Sequence, residues 1–96
     1  MCGFLGKISN VDFDINELNE PNQNIICRGP DNTQTLKFTQ ENPNVFCSLV
    51  FNRLSILDLS ENANQPMSSL QSESILMFNG EIYNYKELRR KLISRN

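Results

Sequence analysis

The sequence predicts an α+β domain, and three observations predict it. Residues 45–51 form a nearly continuous apolar run, and residues 74–78 form a second. Apolar runs this short, without helical spacing, read as buried strands. Tyr85, Leu88 and Leu92 fall at i, i+3 and i+7, which puts them on one face of a helix. Strands that come first and a helix that follows, each with an apolar face to cover, stack into layers. The layers that would complete this cover are expected to lie outside these 96 residues.

Residues 2–8 are short, partly apolar and punctuated by Gly3 and Gly6, a strand in which another group approaches the backbone closely. Residues 10–24 are rich in Asn, Asp and Glu and contain Pro21, so they read as an exposed loop with room for a helical turn. Arg28-Gly29-Pro30-Asp31 is a turn signal, because Pro fixes φ and Gly relaxes it. Residues 33–39 suit a strand, Glu41-Asn42-Pro43-Asn44 a hairpin-like turn, and residues 45–51 the buried strand. Leu54, Ile56, Leu57 and Leu59 extend a second apolar stretch. Residues 60–69 form a polar loop containing Pro66, and the strand of residues 74–78 ends at Asn79-Gly80. Asn84 is placed to cap the last helix, with Glu87 three residues on as in a capping box. Glu87 and Lys91 make a favourable i,i+4 pair on another face.

A length of 96 residues suits one domain or a piece of one, with a small core. The hydrophobic share of 39%, with six Phe, excludes a disordered chain. Nine basic and eleven acidic residues leave a net charge of -2. That gives no strong field, which argues against a nucleic-acid or membrane-surface partner. The sequence has no histidine, which removes imidazole acid–base catalysis, His metal ligands and the Ser-His-Asp arrangement. Cys2, Cys27 and Cys47 are odd in number and lie far apart, which suits free thiols in a reducing compartment and no metal site. Cys27 and Cys47 have apolar neighbours and read as inert core thiols. No secretory leader and no apolar run of about 20 residues is visible, so a cytoplasmic protein in solution is expected.

Three places carry chemistry. Once Met1 is removed, Cys2 presents both a thiol and an α-amine. Such an amine has a pKa of about 7.7–8.0, so roughly a tenth to a fifth is neutral at pH 7 and can take the thiol proton. This supplies a base in a chain without histidine; the plainer reading of Cys2 is a small buried residue. Asn79-Gly80 offers a side-chain amide and a backbone N–H to a developing oxyanion, but judged alone an ordinary hairpin turn is the favoured reading of this dipeptide. Arg53 ends a buried run, where its fork can meet a carboxylate, though taken in isolation a loop arginine at the surface is the slightly favoured reading. Arg28 could act similarly, but its run looks more like a structural turn.

Taken together, five segments resemble one family. They are Cys2-Gly3-Phe4-Leu5-Gly6, Arg28-Gly29-Pro30-Asp31, Asn52-Arg53-Leu54-Ser55-Ile56-Leu57-Asp58, Gln65-Pro66-Met67, and Asn79-Gly80-Glu81-Ile82-Tyr83-Asn84-Tyr85-Lys86-Glu87-Leu88-Arg89. Their order and spacing resemble the start of the glutamine-hydrolysing asparagine synthetases, class II glutamine amidotransferases, across essentially all of the chain. The resemblance implies an N-terminal nucleophile hydrolase fold, a four-layer αββα sandwich that residues 1–96 supply in part. It implies that Cys2 attacks the side-chain amide of glutamine, that Arg53 holds the α-carboxylate, and that the backbone of Leu54, Ser55, Ile56 and Leu57 lines the site. Asn79 and Gly80 would form the oxyanion hole, and Glu81 would contact glutamine through its backbone.

The same resemblance implies no cofactor in this segment, and ATP and Mg for a C-terminal synthetase domain that receives the ammonia. Glutamine and that domain are the implied partners, with a homo-oligomer left open. The acceptor would be aspartate or a sugar-linked carboxylate. Where the family usually has a His shortly before the arginine, this chain has Phe51-Asn52. The acidic residue that binds the α-amino group of glutamine lies past the matched region, so residues 1–96 by themselves are expected to be inactive. The competing expectation is a catalytically silent structural or assembly module of the same fold.

Overall fold

The computed structural model of the chain describes residues 1–69 and 73–95. Its organising element is an antiparallel sheet of three strands, β1 (Gly3–Ser9), β2 (Asn32–Glu41) and β3 (Asn44–Arg53), in the order β1-β3-β2. β2 and β3 form a hairpin across Asn42-Pro43, at the turn expected from the sequence. β3 has a hydrogen-bonded neighbour on each side, so its backbone polar groups are paired and its apolar run can be buried. Cys47, Val50 and Phe51 are buried, and burying a side chain such as Phe51 contributes roughly 1.5–3 kcal/mol.

The register assigns the two faces. Phe51 stands opposite Phe4 and Gln34, Leu49 opposite Gly6 and Leu36, and Cys47 opposite Ile8 and Phe38. These make an apolar face on which the Phe4 and Phe51 rings stack, 6.3 Å between centroids. On the other face Asn52 stands opposite Gly3 and Thr33, and Ser48 opposite Lys7 and Lys37.

The chain between β1 and β2 folds over that second face. It contains a 3-10 turn, Ile15–Leu18, the short helix α1 (Asn19–Gln23) and a second 3-10 turn, Ile26–Arg28. The first turn starts at a capping box. Asp14 accepts from the Asn16 N–H at 2.9 Å, and Glu17 accepts from the Asp14 N–H at 3.2 Å. Pro21 lies in the first turn of α1, where its missing N–H is not needed. Phe13 and Leu18 are buried beneath this segment. The Lys7 and Lys37 ammonium groups lie 4.3 and 5.3 Å from the Phe13 ring centroid. Their stems cover the ring while their heads reach Glu17 and Asp12 at 2.5 and 2.7 Å. The hydrogen bond from Lys37 holds the Asp12 carboxyl below its usual pKa, and that from Lys7 does the same for Glu17.

A buried polar bridge ties this segment to β3. The Asn52 side-chain amide donates to Asn22 Oδ1 at 2.6 Å, and Thr33 Oγ1 donates to Asn52 Oδ1 at 2.8 Å. Asn52 is fully buried, so these bonds stand in for the water it has lost.

The remaining elements are β4 (Met67–Ser68), β5 (Ile75–Leu76) and α2 (Tyr85–Ile93). β4 and β5 pair antiparallel as a separate two-stranded sheet. The chain is therefore a mixed α/β piece built on antiparallel sheets.

Several local expectations need correction. Residues 74–78 are a two-residue strand with flanks, not a buried strand: Leu76 and Phe78 are 58% and 43% exposed. The ladder does not continue to Phe78 because a side chain, that of Gln65, takes both of its main-chain groups. Ile56, Leu57 and Leu59, the second apolar stretch, are exposed, and the Asp58 and Ser60 carbonyls of the same loop turn inward to a guanidinium. Asn84 stands at the N-cap of α2 without a side-chain cap bond. Its φ and ψ of -93° and 24° lie outside the extended region that N-capping uses. Glu87 instead pairs with Lys91 at 2.7 Å, as the i,i+4 spacing predicts. Cys47 is buried, and burial pushes its thiol pKa up, but Cys27 is exposed in the Ile26–Arg28 turn.

Candidate functional site

Cys2 precedes β1 by one residue, and the β1–β3 register carries it to the end of β3, beside Leu54. The Leu54 N–H donates to Cys2 Sγ at 3.3 Å, and the thiol points back at the Leu54 carbonyl at 3.8 Å. The Cys2 carbonyl accepts two side-chain donors from distant parts of the chain. Arg28 Nε lies 3.2 Å away and Asn79 Nδ2 2.9 Å away. The fold thus brings Leu54 and Asn79 each into direct contact with Cys2.

Arg53 is the last residue of β3 and is 7% exposed. Its guanidinium is wrapped by the loop that follows. One terminal nitrogen donates to the Ser60 carbonyl at 2.8 Å and to Asn64 Oδ1 at 2.7 Å, and the other donates to the Asp58 carbonyl. Asp58 in turn accepts from the Ser60 N–H at 2.8 Å, and its hydrogen bonds from Ser60 hold its carboxyl below the usual range.

The Arg28–Asp31 turn braces the start of this loop. The Asp31 N–H donates to the Arg53 carbonyl at 3.0 Å, and Asp31 Oδ2 accepts from the Ser55 N–H at 2.7 Å. Gly29 lies against the Asn52–Arg53 peptide so closely that a Cβ there would stand 2.2 Å from the Asn52 oxygen. No larger residue fits without moving the end of β3.

The other sequence candidates are placed less closely. Leu54 and Ser55 are half-buried at the start of the loop, while Ile56 and Leu57 are 71% and 98% exposed. Gly80 lies under the Phe78 ring, and Glu81 is exposed. Sequence reasoning undervalued Arg28, read as part of a turn, and it gave no role to Asn64 or Gln65. The Gln65-Pro66-Met67 motif was the signal for Gln65. Among the described residues, no group of three or more His, Cys, Asp or Glu could hold a metal ion. Among them, no helix is long and apolar enough to cross a membrane.

A family described as a glutamine amidotransferase domain matches residues 1–96. This chain belongs to the glutamine amidotransferase domain family. Among its relatives is asparagine synthetase [glutamine-hydrolyzing] 1 of Bacillus subtilis, 41% identical over 96% of the chain and 14% of the relative. Another is the putative asparagine synthetase [glutamine-hydrolyzing] 2 of Methanocaldococcus jannaschii, 36% identical over 95% of the chain and 20% of the relative. This glutamine amidotransferase chain therefore spans at most about a fifth of either relative's length. No solved structure matches it.

Proposed function

We propose that Cys2, freed of Met1, is the nucleophile of a glutaminase site, and that this chain is part of a four-layer αββα sandwich. The observation that supports this most is the convergence on Cys2. The Leu54 N–H at 3.3 Å from its sulfur and the Asn79 amide at 2.9 Å from its carbonyl come from positions 52 and 77 residues away. In this reading the Cys2 α-amine takes the thiol proton, and the thiolate attacks the side-chain amide carbon of glutamine. The C–N bond breaks, ammonia leaves with the transferred proton, and a glutamyl thioester remains. Water then attacks the thioester, glutamate leaves and the thiol is restored.

Asn79 Nδ2 and the Gly80 N–H serve the oxyanion, and the Asn79 amide turns from the Cys2 carbonyl to the substrate as it binds. Arg53 holds the α-carboxylate. Among the described residues, the bonds to Ser60, Asn64 and Asp58 engage three of the five guanidinium N–H groups, and the reading assigns the other two to the substrate. Leu54, Ser55, Ile56 and Leu57 line the entry through their backbone, and Glu81 contributes a main-chain contact. The ammonia passes to a synthetase domain that uses ATP and Mg, with aspartate or another carboxylate as acceptor. The names of the relatives support that assignment.

Two variants of the protein expressed from its complete reading frame test the reading. Cys2→Ala abolishes glutamine hydrolysis and leaves ammonia-dependent amide synthesis intact. Asn79→Ala lowers kcat for glutamine about 10²–10³-fold with a smaller change in KM. Equal loss of both activities in Cys2→Ala, or a pure KM effect in Asn79→Ala, counts against these roles.

A further inference from the structure

Two consecutive side chains, Asn64 and Gln65, reach two separate parts of the candidate site, Arg53 and the residue before Asn79. Asn64 Oδ1 accepts from the Arg53 guanidinium at 2.7 Å. The Gln65 amide closes a two-point contact on the main chain of Phe78, the residue before Asn79. Its Oε1 accepts from the Phe78 N–H at 2.5 Å, and its Nε2 donates to the Phe78 carbonyl at 3.1 Å.

The β4–β5 register explains this contact. Met67 pairs with Leu76 and Ser68 with Ile75, so the same register continued would set Gln65 opposite Phe78. Pro66 lies between and has no N–H to give. A side-chain amide carries the same donor and acceptor as a peptide group, and here it makes the bonds that a strand partner would make. The Phe78 carbonyl belongs to the peptide plane that leads into Asn79, so fixing it fixes where the Asn79 side chain starts. Phe78 also bears on the second oxyanion donor. A Cβ at Gly80 would stand 2.8 Å from the tip of the Phe78 ring, so the ring packs directly on that glycine.

We infer that Asn64-Gln65 is a positioning clip for the glutaminase site, in which Gln65 fixes the oxyanion donors Asn79 and Gly80 and Asn64 fixes the carboxylate-binding Arg53. The inference rests on the roles proposed above for Asn79 and Arg53. Neither clip residue touches substrate. Each acts through one named residue, and the two halves of the clip therefore have separate kinetic signatures. Loss of the Gln65 contact weakens transition-state stabilisation, whereas loss of the Asn64 contact weakens substrate binding. A role confined to holding the small β4–β5 sheet together would produce neither split.

The test uses the protein expressed from its complete reading frame. Gln65→Met keeps the side-chain length and removes both bonds. Gln65→Glu keeps an acceptor for the Phe78 N–H but sets a carboxylate oxygen against the Phe78 carbonyl. Both variants are expected to lower kcat for glutamine hydrolysis about tenfold or more with KM within about twofold, Gln65→Met through two lost hydrogen bonds and Gln65→Glu through one lost bond and the carboxylate–carbonyl repulsion. Asn64→Ala is expected to raise KM about tenfold with kcat nearly unchanged, from the loss of one charge-assisted bond. In an Asn79→Ala background, Gln65→Met is expected to cost less than about threefold more, because the two residues act as one unit.

Amide hydrogen exchange over residues 77–80 gives a readout independent of activity, and is expected to accelerate in Gln65→Met. If the parent hydrolyses glutamine but exchange does not accelerate in Gln65→Met, or the Gln65 and Asn79 effects multiply in full, the clip is overturned. A parent that does not hydrolyse glutamine overturns the proposed function, and the clip's kinetic role falls with it.

Discussion

Replacing Gly29 by Ala is the sharpest test of how the turn at Arg28–Asp31 serves the site. Gly29 has φ of -147° and ψ of 76°, a conformation with negative φ, so the penalty is one of space. A Cβ there would stand 2.2 Å from the Asn52 oxygen, 2.3 Å from the Asn52 carbonyl carbon and 2.6 Å from the Arg53 nitrogen. Carbon contacts settle near 3.5–4.0 Å, so the turn and the strand must part by more than about 1 Å. All three obstructing atoms belong to one peptide unit at the end of β3, and no side chain can swing aside to make room. Overpacking of a well-filled site costs about 1–3 kcal/mol, and a clash with backbone belongs at the upper end of that range. In the protein expressed from its complete reading frame, with a domain of about 150–250 residues, about 3 kcal/mol lowers Tm by roughly 6–12 °C.

Gly3→Ala is the matched control. Its new Cβ would meet the Ile25 oxygen at 3.3 Å and the Arg28 side chain at 3.4 Å, contacts that small shifts relieve. It is expected to cost less than about 1 kcal/mol. The assay is a thermal and denaturant melt of the parent and both variants, with glutamine KM alongside, because Arg53 moves with the displaced peptide. A Gly29→Ala protein as stable as Gly3→Ala, with unchanged KM, would refute the argument that this turn exists to bring its backbone against β3.

Two further outcomes are expected. Asn52→Leu leaves the buried Asn22 amide without its partner and destabilises by about 1–3 kcal/mol, while Asn22→Leu with Asn52→Leu recovers part of the loss; denaturant melts of the single and double variants check this. Residues 1–96 expressed by themselves are expected to self-associate, because Phe4, Ile8 and Phe38 leave one sheet face open at 47%, 74% and 38% exposure, and to lack glutaminase activity, because the group expected to bind the α-amino end of glutamine lies past them. Light scattering checks the first, and a monodisperse monomer that turns over glutamine would count against both.

The parts of the fold that were legible in sequence are those that local physics specifies. The run at residues 45–51 is apolar whichever way its side chains point, which suits a central strand paired on both sides. The Asn42-Pro43 hairpin and the Glu87–Lys91 pair follow from spacing. The capping box at Asp14 and Glu17 was equally local, and the polar composition around it masked the signal. The exposure of the apolar residues at 56, 57 and 59 was not legible for a different reason. Their loop is shaped by the Arg53 guanidinium holding the Asp58 and Ser60 carbonyls, a tertiary demand that hydropathy does not encode. The clip at Gln65 is likewise illegible, because a glutamine that imitates a strand partner shows itself only when the register is known. Of the candidate site, the chemistry of Cys2, Arg53 and Asn79 could be argued from residue type. That Arg28 and Asn79 share the carbonyl of Cys2 could not.

The most direct test of the central claim is to identify the atom that carries the glutamyl group. The protein expressed from its complete reading frame is mixed with glutamine, quenched in acid during turnover, digested and analysed by mass spectrometry. The account predicts an N-terminal peptide that begins at Cys2, without Met1, carrying a glutamyl thioester on Sγ that hydroxylamine removes. Glutamine turnover by a protein that retains Met1, or by Cys2→Ala, would contradict it.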